Sequence, residues 1–385
     1  MTSGALKRPA ALSVPSPSDR RQRVVMLLDN HYGPDPRVAF EIELLERDGI
    51  VTRVVAWDRR TDRQVALRET ARGDIVRIAV PAPSGGGWRS LAGVAQFGVR
   101  VWRGRRQLLE GVSLLIVHDV YLLPLGWWLA RRLHRPFVYD AHEEWARMEA
   151  GRYPNWVLRL VTSVESWLAR SAAAVAVPGA SRVPRWDGIL KKPPIVLPNL
   201  VRADRPDSRG SRNEWDLLYV GTVSEGRRPD LLVELARHRP DLKIGIAGRG
   251  RSVEYVVQAA EELPNLSYLG WRSDADELLA RTAAIYYGLD PQHPYSEVAC
   301  PNTLYEALLH RKPLIFFCEG EPAELASQFK IGIRCEASVH ALSSAVDHTS
   351  ATSDWEFDEA WRTVWERAET EQFVTMVKAA AQQRD

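Results

Sequence analysis

Short runs of uninterrupted apolar residues alternate along the chain with stretches whose apolar positions recur every three to four residues. Arg23 to Leu28 is the first such run; after the polar segment Asp29 to Pro36, residues Val38, Ile42 and Leu45 recur at helical spacing. This order predicts strand, loop, helix. Gly49 closes the helix and Val51 to Trp57 forms a second buried strand. The alternation continues with strands at Ile75–Val80, Leu114–Val117, Phe137–Tyr139 and Ala174–Val177. Between them fall helices at about Trp88–Leu109 and Leu122–Leu133, then a long one through Trp156 and Trp167. Strands that are apolar on both faces belong in a parallel sheet covered by helices on both sides.

From Pro193 to Trp215 the pattern gives way to Pro, Asp, Ser, Arg and Gly, the composition of a linker. It then restarts, with strands at Leu217–Val220, Lys243–Ala247, Leu266–Leu269, Ala284–Tyr287, Pro313–Phe317 and Ile331–Arg334. The segment Ala341–Ser353 carries little pattern. Beyond it, Phe357, Trp361, Val364, Trp365 and Ala368 mark a terminal helix whose apolar stripe is expected to dock back on the first domain. The expectation is an α/β protein of two Rossmann-like parallel-sheet domains facing a central cleft. Residues 22–200 with 355–385 form the first domain, residues 201–354 the second, and residues 1–21 a disordered tail. Ligands in such sheets bind at the carboxyl ends of the strands, so the cleft is the place to search.

A length of 385 residues suits two domains, and 45% hydrophobic with 26% charged residues is the composition of a water-soluble globular chain. The net charge of +2 gives no reason to expect a nucleic-acid partner. Cys300, Cys318 and Cys335 form neither a metal-ligand spacing nor an even disulfide set, which favours a reducing cytoplasm. The N-terminus lacks the apolar core of a signal peptide, and no run is long enough to span a bilayer, so any membrane association is expected to be peripheral.

The richest stretch for chemistry is Pro294–Phe317. A polar loop leads into a helix opened by Pro301, Asn302 and Thr303, with the carboxylate of Glu306 one turn inside. Free amides at a helix N-terminus suit a diphosphate, and a neighbouring carboxylate suits sugar hydroxyls. Gly221–Arg228 ends a strand in a glycine turn followed by two arginines, of which Arg227 is the better phosphate ligand; a solvated surface pair is the bland alternative. Gly248 and Gly250 bracket a tight strand-to-helix turn. Trp271 and Arg272 follow a strand end and could flank a nucleobase, although a core tryptophan fits as well. In the first domain His142 leaves a strand end, where it can bond a sugar hydroxyl or stabilise charge near the reacting carbon. His118 and Asp119, at another strand end, are candidates for the acceptor side, and Gly33 with Asp35 and Arg37 forms the first strand-to-helix loop. Asp274 and Asp276 read as helix-capping residues rather than metal ligands. The basic, aromatic segment Gly87–Arg106 could lie on an anionic membrane or line an acceptor groove, beside the plainer reading of a core-facing helix.

Taken in this order and spacing, these motifs resemble the GT-B fold glycosyltransferases, and within them the large retaining family 4, over nearly the whole chain after the tail. The likeness rests on Gly33–Gly49, Tyr139–Glu143 with the later Glu165–Arg170 helix, Gly221–Arg227, Gly248–Gly250, and Pro301–Leu308 running into Lys312–Ile315. It implies a nucleotide-diphosphate sugar as donor and a hydroxyl acceptor on a glycan, glycolipid or small-molecule natural product. Transfer would be retaining and metal-independent, with no cofactor. Glu306 would bind the donor ribose, Asn302, Thr303 and Leu304 would offer amides to the diphosphate, Arg227 would be the phosphate cation and His142 would lie near the transferred sugar. Two positions depart from the family: Thr222 stands where an arginine follows the glycine, and the acidic residue eight places before Glu306 is Val298, with Glu297 one place out of register. A nucleotide-sugar epimerase or hydrolase of the same fold, or a non-catalytic GT-B partner protein, are the competing readings. Donor base, sugar, acceptor and oligomeric state are not encoded in any motif.

Overall fold

The computed structural model describes residues 22–33, 35–59, 67–69, 74–82, 88–200, 213–272 and 274–382. The expected tail and most of the expected linker lie outside them. Among the described residues the first sheet contains β1 (Arg23–Leu28), β2 (Val51–Asp58), β3 (Leu67–Glu69), β4 (Asp74–Ala79), β5 (Val112–His118), β6 (Phe137–Asp140), β7 (Ala174–Val177) and β8 (Ile195–Val196). Their spatial order is β3-β4-β2-β1-β5-β6-β7-β8, parallel except for the β3–β4 pair. The second sheet contains β9 (Trp215–Thr222), β10 (Ile244–Arg249), β11 (Leu266–Tyr268), β12 (Thr282–Tyr287), β13 (Leu314–Phe316) and β14 (Gly332–Arg334). It is parallel in the order β11-β10-β9-β12-β13-β14. The strand order reverses between β1 and β5 in one sheet and between β9 and β12 in the other, and crevices form at such reversals.

The buried strands explain the apolar runs: Val24 to Leu28, Leu114 to Val117 and Leu314 to Phe316 are fully enclosed on both faces. One apolar cluster joins Val24, Phe40 and Leu114 of the first domain to Leu304, Leu308 and Phe316 of the second, so the core continues through the inter-domain boundary.

Three local expectations change. Residues Val339–Ala351 form a helix where little pattern was expected; Ser338 caps it by accepting from the Ala341 amide, and Leu342, Ala345, Val346 and Thr349 are its buried face. The terminal stripe is two helices, Phe357–Arg367 and Thr370–Gln382, because Ala368 turns extended and the Glu369 carboxylate accepts the Val196 amide at 2.6 Å. Both helices reach the first domain as expected. Phe40 meets Trp365 edge-on at 5.4 Å, and Lys378 pairs with Asp48 at 2.5 Å. Finally, Gly104 breaks the helix expected over 88–109, leaving Trp88–Arg103 and a short turn, Arg105–Leu108.

Candidate functional site

The carboxyl ends of β9, β10 and β12 and the N-terminus of the helix Asn302–His310 lie on one edge of the second sheet. Pro301 precedes that helix and supplies no side-chain cap; the Leu304 amide donates to the Pro301 carbonyl at 3.1 Å, so the amides of Asn302 and Thr303 are the ones left to a ligand. Asn302 is exposed there, while Thr303 and Leu304 are buried beneath. Glu306 lies further along the helix. Burial, and then the like charge of Asp276, push its carboxyl up to about 7. Asp276 also bonds His310, at 3.0 Å, so Glu306 lies between the helix and the turn that follows Trp271 and Arg272. Trp271 is half exposed with Arg249 over its ring at 4.7 Å, and Arg272 is tied to Asp274. Trp271 is therefore a surface side chain, not a core one.

Gly248 has a φ of +148°, and a Cβ there would come within 1.7 Å of the Gly221 carbonyl oxygen. The two strand ends approach so closely that neither β9 nor β10 leaves room for a side chain at this point. Thr222 is exposed beside them, its carbonyl accepting from Tyr219 at 2.7 Å. Arg227 lies in the next turn, over the Tyr287 ring at 4.9 Å and donating to the Tyr287 hydroxyl at 2.6 Å. That leaves the rest of its guanidinium for an anion. Arg228 instead pairs with Asp230, which separates the roles of the two arginines.

Facing this edge, the first domain places a charged cluster at the ends of β5 and β6. Arg37, from the helix Pro36–Arg47, forks onto both oxygens of Asp140 and also donates to Asn199 at 3.1 Å. Both members of the pair are buried. The His142 Nε2 reaches Asp140 at 2.6 Å and the His118 Nδ1 at 2.9 Å, and its Nδ1 lies 3.6 Å from Asp119. Burial alone would lower His142; Asp140 and then Asp119 outweigh it and lift its pKa to about 10. The ring is therefore an imidazolium at neutral pH, a fixed positive charge rather than a base. Burial lowers His118, whose Nδ1 lies 2.9 Å from the His142 Nε2 and 3.1 Å from Asp140. Burial would raise Asp140, but Arg37 and His142 hold it well below the ordinary carboxylate range. Glu41 is raised well above the ordinary carboxylate range by burial and by Asp140, against the pull of Arg37.

His118 has no exposed surface, so an acceptor cannot touch it. This corrects the acceptor-side expectation: His118 supports His142 from beneath. Asp119, at φ +64°, is raised to about 8 by burial and is the partly exposed member of the two. Gly33 is exposed in the first loop, which Asn30 braces by accepting from the Tyr32 amide at 2.8 Å and donating to Asp35 at 2.9 Å.

Although no metal spacing is visible along the chain, the fold brings ligand atoms of Glu41, His118, Asp140 and His142 within 4.8 Å of one another. The Arg37 guanidinium already occupies both oxygens of Asp140 and supplies the positive charge of that cluster.

Several contacts among the described residues join the domains at the cleft. Arg182, almost fully buried, donates to the His142 and Val298 carbonyls, to Glu143 at 3.0 Å and to the Tyr295 hydroxyl at 2.5 Å. Asn199 donates to the Cys300 carbonyl at 3.0 Å. Glu297, largely exposed, pairs with Arg147 at 2.6 Å, so its carboxylate is engaged with the first domain. Tyr295 also donates to Glu143. Asp140, Glu41, Arg182 and Tyr295 were not singled out as site residues from the sequence, and Arg37 was noted only as part of the first strand-to-helix loop. Asp140 was recoverable, since it ends an apolar strand as His118 does.

This is the GT-B fold, two parallel-sheet α/β domains about a cleft. Residues 33–182, within the first domain, match the family described as "Glycosyl transferase 4-like domain". Similar solved structures include a sucrose-phosphate synthase from Thermosynechococcus elongatus, with TM-score 0.66 and 13% identity over 94% of this chain and 96% of that one. Another is Anabaena HepE in complex with UDP and glucose, with TM-score 0.66 and 14% identity over 93% of this chain and 99% of that one. Among curated proteins, the O-antigen biosynthesis glycosyltransferase WbnH of Escherichia coli is 25% identical over 81 residues, 21% of this chain and 24% of that protein. This chain is thus matched to about a quarter of that relative's length.

Proposed function

We propose that the chain is a retaining glycosyltransferase that moves a sugar from a nucleoside-diphosphate sugar to a hydroxyl acceptor. The observation that carries this reading is the uncapped N-terminus of the helix Asn302–His310, with Glu306 on the same helix and Arg227 on the same sheet edge. In the reaction the bond between the sugar anomeric carbon and the β-phosphate oxygen breaks. The acceptor oxygen bonds that carbon from the same face, and the acceptor proton passes to the departing phosphate. Negative charge grows on the phosphate as the bond breaks. Arg227 and the amides of Asn302 and Thr303 meet it, and His142 adds a positive charge from the opposite wall. Structural neighbours crystallised with UDP and UDP-glucose support a nucleotide-sugar donor. With these fixed donors the diphosphate needs no metal.

Purified protein given assorted nucleotide sugars and an acceptor preparation is expected to release nucleoside diphosphate in the presence of EDTA. Strict dependence on added Mg²⁺ would overturn the metal-free mechanism, and release that ignores the acceptor would make the protein a hydrolase. Thermal shifts with UDP, GDP, ADP and dTDP identify the base, because a ligand that binds only the folded state raises its melting point.

Glu306 makes the ribose contact testable. Only its ionised form accepts from both ribose hydroxyls, and its carboxyl titrates near 7. Donor affinity is therefore expected to rise as pH increases through neutrality, as the carboxylate forms. Glu306→Gln should weaken donor binding by about tenfold to a hundredfold, the worth of hydrogen bonds to a charged group, and flatten that pH profile. Calorimetric titration across the range checks both, and an unchanged profile in the variant would remove Glu306 from the ribose.

A further inference from the structure

The helix Asn155–Ala169 buries one side, through Leu158, Glu165, Ser166 and Leu168, and turns large apolar residues outward on the other. Trp156 is 69% exposed, Leu160 55%, Val164 41% and Trp167 57%. Their spacing of four, four and three residues aligns them in one stripe along the helix. The remaining exposed positions of its last three turns are Arg159, Ser163 and Arg170, so the stripe is flanked by positive charge with no acidic residue among them.

The stripe continues sideways onto the next helix, Asp119–Leu133, where Trp127 meets Trp167 at 5.3 Å. There Arg131 lies over the Trp127 ring at 5.3 Å and Arg132 over the Trp128 ring at 5.7 Å, and both arginines are exposed. A third helix, Trp88–Arg103, adds Val99, 48% exposed, and Arg103 at the far flank. Of the basic aromatic segment, Val99 and Arg103 thus form an edge of this surface rather than its centre. Four large apolar side chains contiguous on one helix exceed the scattered exposure normal for a soluble surface.

We propose that this face docks on an anionic lipid bilayer, with the helix Asn155–Ala169 lying in the interface. The occupant follows from the chemistry. Tryptophans with an apolar body and a polar edge sit at headgroup depth, arginines beside them reach lipid phosphates, and the helix lies flat with its apolar side down. A second copy of the chain would bring Arg159, Arg170, Arg131 and Arg132 against their own images, like charge on like charge, which disfavours a self-paired interface. No helix among the described residues is long and apolar enough to cross a membrane, so the contact is peripheral. The N-terminal end of this helix follows Tyr153, which packs on Trp145, and Arg147 of that same turn bonds Glu297 across the cleft. A bilayer under the stripe would therefore lie beside the cleft mouth. The docking does not depend on the transferase reading.

The test is flotation of the full chain with vesicles of phosphatidylcholine alone and with about a third phosphatidylglycerol, a composition that carries the negative surface potential. Binding is expected to the anionic vesicles, and to weaken with added salt. The double variant Trp156→Ser/Leu160→Ser is expected to lose about tenfold or more of that partitioning while its nucleotide thermal shift is unchanged, since both side chains are already outside the core. Arg131→Gln/Arg132→Gln should lose the preference for anionic over neutral vesicles, which keeps the proposal testable if the first variant folds poorly. Equal partitioning of wild type and both variants would overturn it. So would a wild-type dimer in sedimentation velocity that becomes monomeric in Trp156→Ser/Leu160→Ser, because the stripe would then be a subunit interface.

Discussion

Arg37→Met is expected to lower stability by about 3–5 kcal/mol, the cost of leaving a buried charge without its partner. The melting point should fall by roughly 10 °C, by the usual scaling for a domain of this size. Asp140 would lose both forks of the guanidinium, and Asn199, whose amide bonds the Cys300 carbonyl across the cleft, would lose the Arg37 contact that holds it in place. The effect has a pH signature. Asp140 is held below its ordinary pKa, so the stabilisation it brings is complete above about pH 4, where an unfolded aspartate is ionised, and disappears as the pH falls through the folded value. The gap between wild type and variant should therefore close in acid. Thermal melts at pH 7 and pH 3 decide it: a variant melting within two or so degrees of wild type at pH 7, about the effect of an ordinary surface substitution, would mean the pair contributes little.

Arg227→Ala is expected to reduce turnover at saturating donor by about 10²–10³-fold, the range found when one fixed donor to a developing anion is removed. Tyr287 holds the guanidinium in place before any ligand arrives, so its orientation costs nothing at the moment of bond breaking. Arg227→Lys should recover only part of the loss, because an ammonium cannot keep the Tyr287 contact and present a planar fork together. Steady-state kinetics with the donor held saturating provides the measurement. A loss of less than threefold in Arg227→Ala would assign the phosphate to the helix amides alone.

The architecture was legible where the physics is local. Both sheets were readable because the middles of β1, β5, β9 and β13 are enclosed on both faces and so run apolar, with polar residues such as Arg23, Asp216 and Thr222 kept towards the strand ends. Glu306 and the amides before it were readable because a helix start and its first turns are contiguous in sequence. The helix Val339–Ala351 was legible in principle, since Leu342, Ala345, Val346 and Thr349 recur at helical spacing, but small and hydroxyl-bearing residues between them dilute the pattern. The charged core of the site was not legible. Arg37 and Asp140 are 103 positions apart, and an arginine just after Pro36 looks like any solvated first-turn residue. His118 shows the converse: its strand-end position suggested an exposed ligand contact, whereas the next loop carries His142 over it and seals it in.

Arg182 sets a limit on treating the two halves of the molecule as interchangeable parts. It belongs to the first domain, yet it bonds the Val298 carbonyl and the Tyr295 hydroxyl, which shape the loop leading into the helix Asn302–His310. The loop is thus encoded in one domain and moulded by the other. A chimaera that joined this second domain to the first domain of another protein would set that loop against a different wall and alter the nucleotide pocket without a single change to its own residues.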